Sequence, residues 1–315
     1  MLESLTPGAV RQPRVIFVYN RAALLKFVFF YVTFHTLGRL PLRALYGLMN
    51  FVGAAAYYLV PKVRRNVHDN LRHVMPPAAT QRQIDHAARR IFQNVALYYA
   101  DLAHMPHMDI DEFFNDRMII RGVDEYLRPA IAEGKGVVML GAHFGNPELA
   151  GQALIHLGIP VFALTEPLDP RISRLLDKVR SSKGHTFAPV SVGNVKRVMQ
   201  TLKKGGVVAL MGDRDIQGPK ELLPFCGVET YMPTGPIEVA LRTGAAVVPS
   251  FSMRRNDYVI DAVVEEPLKL ERTGDFQHDV RVSMQRFLER YERRLQAEPE
   301  QWGVLEAIWD GGVES

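Results

Sequence analysis

A single cysteine, Cys226, in 315 residues removes two classes of protein at the outset. A disulfide-stapled scaffold needs an even set of cysteines, and a cysteine-based metal site needs several at ligand spacing. So sparse a use of cysteine points to a reducing compartment. Other signatures are missing too. There is no Gly-x-Ser-x-Gly elbow, no His-Glu-x-x-His, no phosphate-binding glycine loop ending in Lys-Ser/Thr and no dinucleotide fingerprint. Residues 1–20 hold two prolines and no long apolar core, so no secretory signal peptide is expected. His104 and His107 flank Met105-Pro106 with no third ligand nearby; they read as loop histidines, and no metal is expected.

What is present is the makeup of a globular chain, 47% hydrophobic and 23% charged, long enough for one large core or two modest ones. The charge is unevenly placed. Residues 1–110 carry 13 Lys/Arg against 5 Asp/Glu, and the remainder 25 against 29. A basic first third suits an anionic membrane surface. Nucleic acid would satisfy the same charge, but no nucleic-acid module accompanies it, so none is expected as a partner. Residues 24–37 form an aromatic-rich apolar segment interrupted by Lys26 and His35. Residues 44–60 are more apolar: 17 residues with Asn50 the only strongly polar one, stopped by Pro61 and followed by Lys62, Arg64 and Arg65. Seventeen residues lie at the lower limit for one crossing. The segment reads either as a buried core helix or as an anchor with its basic cluster at headgroups. Apolar residues from Ile84 to Leu102 recur on one helical face. Residues 1–110 are therefore expected to form an N-terminal helical, membrane-associating region.

From residue 117 the pattern changes to short alternating strand and helix signals. Strands are expected at 118–120, 137–140, 160–164, 187–190, 207–211 and 246–251. Helices are expected at 124–133, 147–157, 170–182, 195–204 and 236–243, with a one-faced tail helix from Phe276 to Leu295. This predicts an α/β domain over 111–315, with a largely parallel sheet flanked by helices and a C-terminal helix.

The chemistry concentrates at residues 136–151, GVVMLGAHFGNPELAG. The apolar run ends at Gly141-Ala142, so His143 falls at the carboxyl end of a strand, the edge where ligands bind in open α/β sheets. Gly145 and Asn146 make a turn. Pro147 opens the next helix and puts Glu148 in its first turn. A carboxylate five residues from a histidine across such a turn can orient an imidazole whose other nitrogen takes a proton from a hydroxyl. The plainer alternative is a packed histidine and a solvated first-turn acid.

His143-Phe144-Gly145-Asn146-Pro147-Glu148 resembles the His-x4-Asp/Glu block of the glycerolipid acyltransferases. HFGNPELAG is similar to the version in bacterial lipid A and phosphatidylinositol mannoside acyltransferases, with Pro147 where those have an aromatic residue. Three further blocks follow the same order. Arg64 to Leu71 resembles the "R-x-N-L" block. Gly212-Asp213-Arg214-Asp215 with Gly218 and Phe225-Cys226-Gly227 resembles the "D-R-D-L-x-G … F-F-G" block of the phosphatidylinositol mannoside branch. Pro299-Glu300-Gln301-Trp302 resembles "P-E-Q-W".

The resemblance implies acyl transfer from acyl-CoA or an acyl-carrier protein to a hydroxyl of a bacterial membrane glycolipid, with no cofactor. The acceptor is expected to be phosphatidylinositol mannoside-like, or alternatively a Kdo–lipid A precursor. His143 would be the base and Glu148 its orienting acid. Backbone amides of the Gly141 to Gly145 turn would be candidates for holding the oxyanion, with Gly145 and Asn146 shaping it. Glu166 and Arg180 fall where that branch has an acid and an arginine near its headgroup site. Asp213, Arg214 and Asp215 either contact substrate or only brace their own loop. Lys196, Arg197, Lys203 and Lys204 read as a solvated helix face or a surface for an acidic carrier. The expected location is the cytoplasmic face of the inner membrane, held peripherally or by one N-terminal anchor. An α/β thioesterase using the same pair on water, and a catalytically silent scaffold, are the rival readings.

Overall fold

In a computed structural model of the chain, residues 27–28, 31–214 and 218–309 are described. Asp215 and residues 1–26 lie outside them. Among the described residues from Leu37 onward, the α-helices are α1 (Leu42–Leu59), α2 (Pro61–Val74), α3 (Gln81–His104), α4 (Ile110–Arg117), α5 (Arg128–Ala132), α6 (Pro147–His156), α7 (Pro170–Arg180), α8 (Val192–Lys203), α9 (Gly235–Thr243) and α10 (Phe276–Ala297). The strands are β1 (Met118–Arg121), β2 (Val137–Gly141), β3 (Val161–Thr165), β4 (Thr186–Pro189), β5 (Val207–Met211), β6 (Lys220–Phe225), β7 (Val228–Pro233), β8 (Ala246–Arg254) and β9 (Ile260–Val264).

Seven strands form one sheet in the order β1-β9-β8-β2-β5-β3-β4. β8, β2, β5, β3 and β4 run parallel, while β9 returns antiparallel beside β8 and pairs parallel with β1. The expected largely parallel sheet is therefore present. β2 is buried along its whole length, which is why it reads as an unbroken apolar run rather than an alternating one. Three elements went unforeseen: α4, β9 and the β6–β7 hairpin. Alternation weak enough to pass for loop left the hairpin unread, with Lys220, Leu222 and Tyr231 facing outward.

Helices α1, α2 and α3 pack against each other, and the end of α3 packs against β1 and β9. α1 runs close over α3, and Gly53 permits it: a Cβ there would come within 2.7 Å of the Gln93 Cα. Leu45, Tyr46 and Met49 of α1 are buried, whereas Phe51, Tyr58 and Leu59 are exposed. The segment is thus a half-buried amphipathic helix, with one face in the core and the other exposed. Among the described residues no single helix is long and apolar enough to cross a membrane; α1 and α2 pass that test only together, bent by 92° at Val60-Pro61. Pro61 fits at the bend because the first turn of a helix needs no donor from it.

A buried polar cluster fastens these helices to the sheet. Asp101 of α3 accepts from Tyr46 at 2.5 Å, from Asn146 at 2.6 Å and from the Arg254 guanidinium at the end of β8. Gln301 closes the cluster by bonding the backbone N–H and C=O of Arg254, each at 3.0 Å. Asp101 and Arg254 are both buried, so each charge depends on the other for solvation. Arg254→Met should destabilise the fold by about 3–5 kcal/mol by leaving Asp101 buried and unpaired. Asp101→Asn added to it should recover part of that loss, and urea unfolding of both variants measures it.

Candidate active site

β2 and β5 lie side by side in register, Gly141 opposite Met211. The pairing continues one step past the strands, where the Gly212 N–H donates to the Gly141 carbonyl at 2.9 Å. Two residues beyond each paired end come His143 and Asp213, and equal spacing sets them against each other. His143 Nδ1 lies 2.9 Å from Asp213 Oδ1, and the His143 backbone N–H donates to Oδ2 at 2.9 Å. The Tyr291 hydroxyl of α10 donates to the same Oδ2 at 3.2 Å. Asp213 is fully buried, while the His143 side chain retains 32% of its exposure.

Burial opposes charging of the imidazole. The charge of Asp213 and the bond to it outweigh burial and hold His143 above its ordinary value, with Arg214 pushing weakly down and Glu306 weakly up. Burial likewise pushes the Asp213 carboxyl up. The charge of His143 and the hydrogen bonds from its ring, its backbone and Tyr291 overcome this and hold the carboxyl below its usual range.

Glu148 does not orient His143. It sits in the first turn of α6 and accepts two bonds from Arg180, at 2.6 and 2.8 Å, and one from the Tyr98 hydroxyl. The reason is local. Asn146 caps α6 by accepting from the Leu149 N–H at 2.9 Å, which fixes the helix start and turns position 148 toward α3 and α7. Arg180 is thereby committed to Glu148 rather than facing outward alone. Both side chains are largely buried, and the fork geometry makes this a stiff link between α6 and α7.

The remaining expected residues separate in the same way. Arg214 bridges Glu166 at 2.6 Å and Glu306 at 3.2 Å, so the two strand-end loops after β3 and β5 are tied by charge beside the imidazole. Asn146 is buried and spent on its helix cap and on Asp101. Gly145 shapes the turn with φ +65°, and a Cβ there would fall 2.0 Å from the Ser252 carbonyl oxygen. Its amide donates to the Gln301 carbonyl at 2.8 Å, the Phe144 amide to Ala142 and the His143 amide to Asp213, so these three are not free to hold an oxyanion.

Gln301 and its neighbours give the Pro299–Trp302 block a place in the site. The Gly303 N–H donates to the His143 carbonyl at 2.7 Å, and Phe144 and Trp302 form a short antiparallel bridge. The tail clamps the histidine turn. Sequence reasoning missed this brace, and it missed Tyr291, which reads from sequence as one more apolar position of a packing helix. Among the described residues no group of three or more His, Cys, Asp or Glu could hold a metal ion.

A half-exposed imidazole backed by a buried carboxylate at the carboxyl edge of a parallel sheet can draw a proton from a hydroxyl, which is the equipment of a group-transfer enzyme. The profile of the bacterial lipid A biosynthesis acyltransferases matches residues 17–310; the chain belongs to that acyltransferase family. It is 27% identical over 275 residues to a phosphatidylinositol mannoside acyltransferase of Mycobacterium tuberculosis (strain CDC 1551 / Oshkosh), covering 82% of this chain and 81% of the relative. Identity to the protein of that name from Mycolicibacterium smegmatis is 26%, over 76% of this chain and 77% of the relative. Identity to the lipid A biosynthesis lauroyltransferase of Escherichia coli (strain K12) is 25%, over 70% and 71%.

The paired ionisations give a pH signature in stability. Asp213 contributes above its unfolded value, near pH 4, and loses that contribution as pH falls through its lowered folded value. The imidazolium contributes below its unfolded value, near pH 6.5, and is lost as pH rises through the raised folded value of His143. The stability difference between the wild type and Asp213→Asn should therefore be greatest between about pH 4 and 6.5 and shrink on both sides. Denaturant titrations across that range measure it, and a flat difference would contradict the pairing.

Proposed function

We propose that the protein is a membrane-associated O-acyltransferase that moves a fatty acyl chain from a soluble acyl-thioester to a hydroxyl of a bacterial glycolipid. The observation that carries this is the His143–Asp213 pair. Asp213 holds Nδ1, and among the described residues nothing hydrogen-bonds Nε2, which belongs to a half-exposed ring. Nε2 takes the acceptor hydroxyl proton as the oxygen attacks the thioester carbonyl. The tetrahedral intermediate then collapses, expelling the thiolate, which receives that proton from the imidazolium. The products are an ester and a free thiol. No covalent enzyme intermediate and no cofactor are needed, because the donor is already activated. Asp213 fixes the tautomer and stabilises the imidazolium; Glu148 acts through Arg180 on the shape of the site.

Two considerations favour a phosphatidylinositol mannoside-like acceptor: the Gly212-Asp213-Arg214 block, and the greater share of this chain aligned with the mycobacterial relatives. A lipid A precursor is the second reading, supported by the Escherichia coli relative and by identical chemistry at the hydroxyl. Association with the cytoplasmic leaflet is supported by α1. Its outward Phe51, Tyr58 and Leu59 are 72%, 57% and 77% exposed, and they lead into Lys62, Arg64 and Arg65 at the bend. Acyl-CoA and acyl-carrier protein both remain fitting donors.

Purified full-length protein, given radiolabelled palmitoyl-CoA or palmitoyl-carrier protein and vesicles containing either phosphatidylinositol mannoside or a Kdo–lipid A precursor, should place label in one lipid. His143→Ala should lower that transfer by roughly a thousandfold and Asp213→Asn by about a hundredfold or more. Label released only as free fatty acid would make the protein a thioesterase, and undiminished transfer by His143→Ala would move the chemistry elsewhere.

A further inference from the structure

Among the described residues, Tyr291 is the one group outside the histidine that hydrogen-bonds Asp213. Its ring is fully buried and locked in a stack. Phe251 lies parallel at 5.9 Å, Phe225 at 5.8 Å and Phe287 at 6.2 Å. Three elements, β6, β8 and α10, thus hold one phenol so that its hydroxyl meets Asp213 Oδ2 at 3.2 Å. A phenylalanine would fill this apolar stack equally well. Burying a hydroxyl there is justified only by its bond to the carboxylate.

We propose that Tyr291 is a positioning residue that moderates the base, sharing the charge of Asp213 so that His143 releases its proton more readily than a lone His–Asp pair would allow. The carboxylate has two oxygens. Oδ1 serves the ring, and Oδ2 divides its charge between the His143 backbone N–H and the phenol. Withdrawing the phenol leaves more of the carboxylate's charge for the imidazole and strengthens its grip on the proton. Among the described residues, the other groups whose charge bears on the ring are Arg214 and Glu306, and Cys226 lies near the phenol. Arg214 is held by Glu166 and Glu306, and burial raises the Cys226 thiol to about 12, so it stays neutral. Tyr291, also raised well above its ordinary value by burial and by Asp213, remains a donor throughout the working range.

The rate consequence rests on His143 serving as the base, but the titration itself does not. In full-length protein in detergent micelles, with isotopically labelled histidine and His143→Gln used for assignment, NMR should follow the His143 ring through its titration. Asp213→Asn should move its midpoint down. Tyr291→Phe should move it up by about half a pH unit, in a variant that is less stable than the wild type but still folded. In the transfer assay, Tyr291→Phe should be about threefold slower on the acid limb and unchanged on the alkaline plateau. A midpoint that stays put, or that falls as in Asp213→Asn, would overturn the proposal, because a phenol that merely holds Asp213 in place would produce the latter. Absence of acyl transfer with the opposite shifts intact would count against the proposed function and leave this inference standing.

Discussion

The bond between His143 and Asp213 is only as good as the register of β2 against β5. Both residues stand two positions past a paired Gly141 and Met211, on loops without regular structure of their own. A slip of one residue would turn every side chain of β2 to the other face and separate the pair. The buried apolar run 137–140, the tight aromatic stack beneath it and the Gly212–Gly141 bond all oppose that slip. The geometry of this pair is inherited from sheet packing.

Around this pair the protein spends its buried polar groups on bracing. Asp101, Arg254, Tyr46 and Gln301 join α1, α3, β8 and the tail, and Asn146 connects that cluster to the cap of α6. The Gln301 carbonyl and Gly303 amide then hold the turn between β2 and α6. Gly145 is the residue that lets this turn pass beneath β8, since any side chain would collide with Ser252. Four segments far apart in sequence therefore meet behind one imidazole, and each satisfies a donor or acceptor that would otherwise be buried and unpaired.

The two acids nearest the histidine in sequence and in space have divided the work. Glu148 is closer along the chain, and its spacing suggested it as the orienting carboxylate. The helix cap at Asn146 turns it instead toward Arg180 and Tyr98, where it ties α6 to α7. Asp213, read from sequence as either a substrate contact or a brace of its own loop, is the acid on the ring. Arg214 follows it immediately and is tied to Glu166 and Glu306, so the charge network of that loop runs to other segments rather than to Asp213.

Composition and local pattern were enough to establish the α/β class, the strand that delivers His143 and the turn at Gly145 and Asn146, and the resemblance of four blocks pointed to the family. These follow from properties short stretches carry alone: an unbroken apolar run, a proline at a helix start, a block of adjacent residues. The partners of His143 were decided elsewhere. Sequence does not state that β5 lies beside β2 rather than beside β8, nor that α10 brings a phenol under Asp213, because strand order and helix placement are set by the joint packing of the core. An amphipathic pattern shows which face of Tyr291 is buried; only the folded chain shows that a carboxylate is waiting for its hydroxyl.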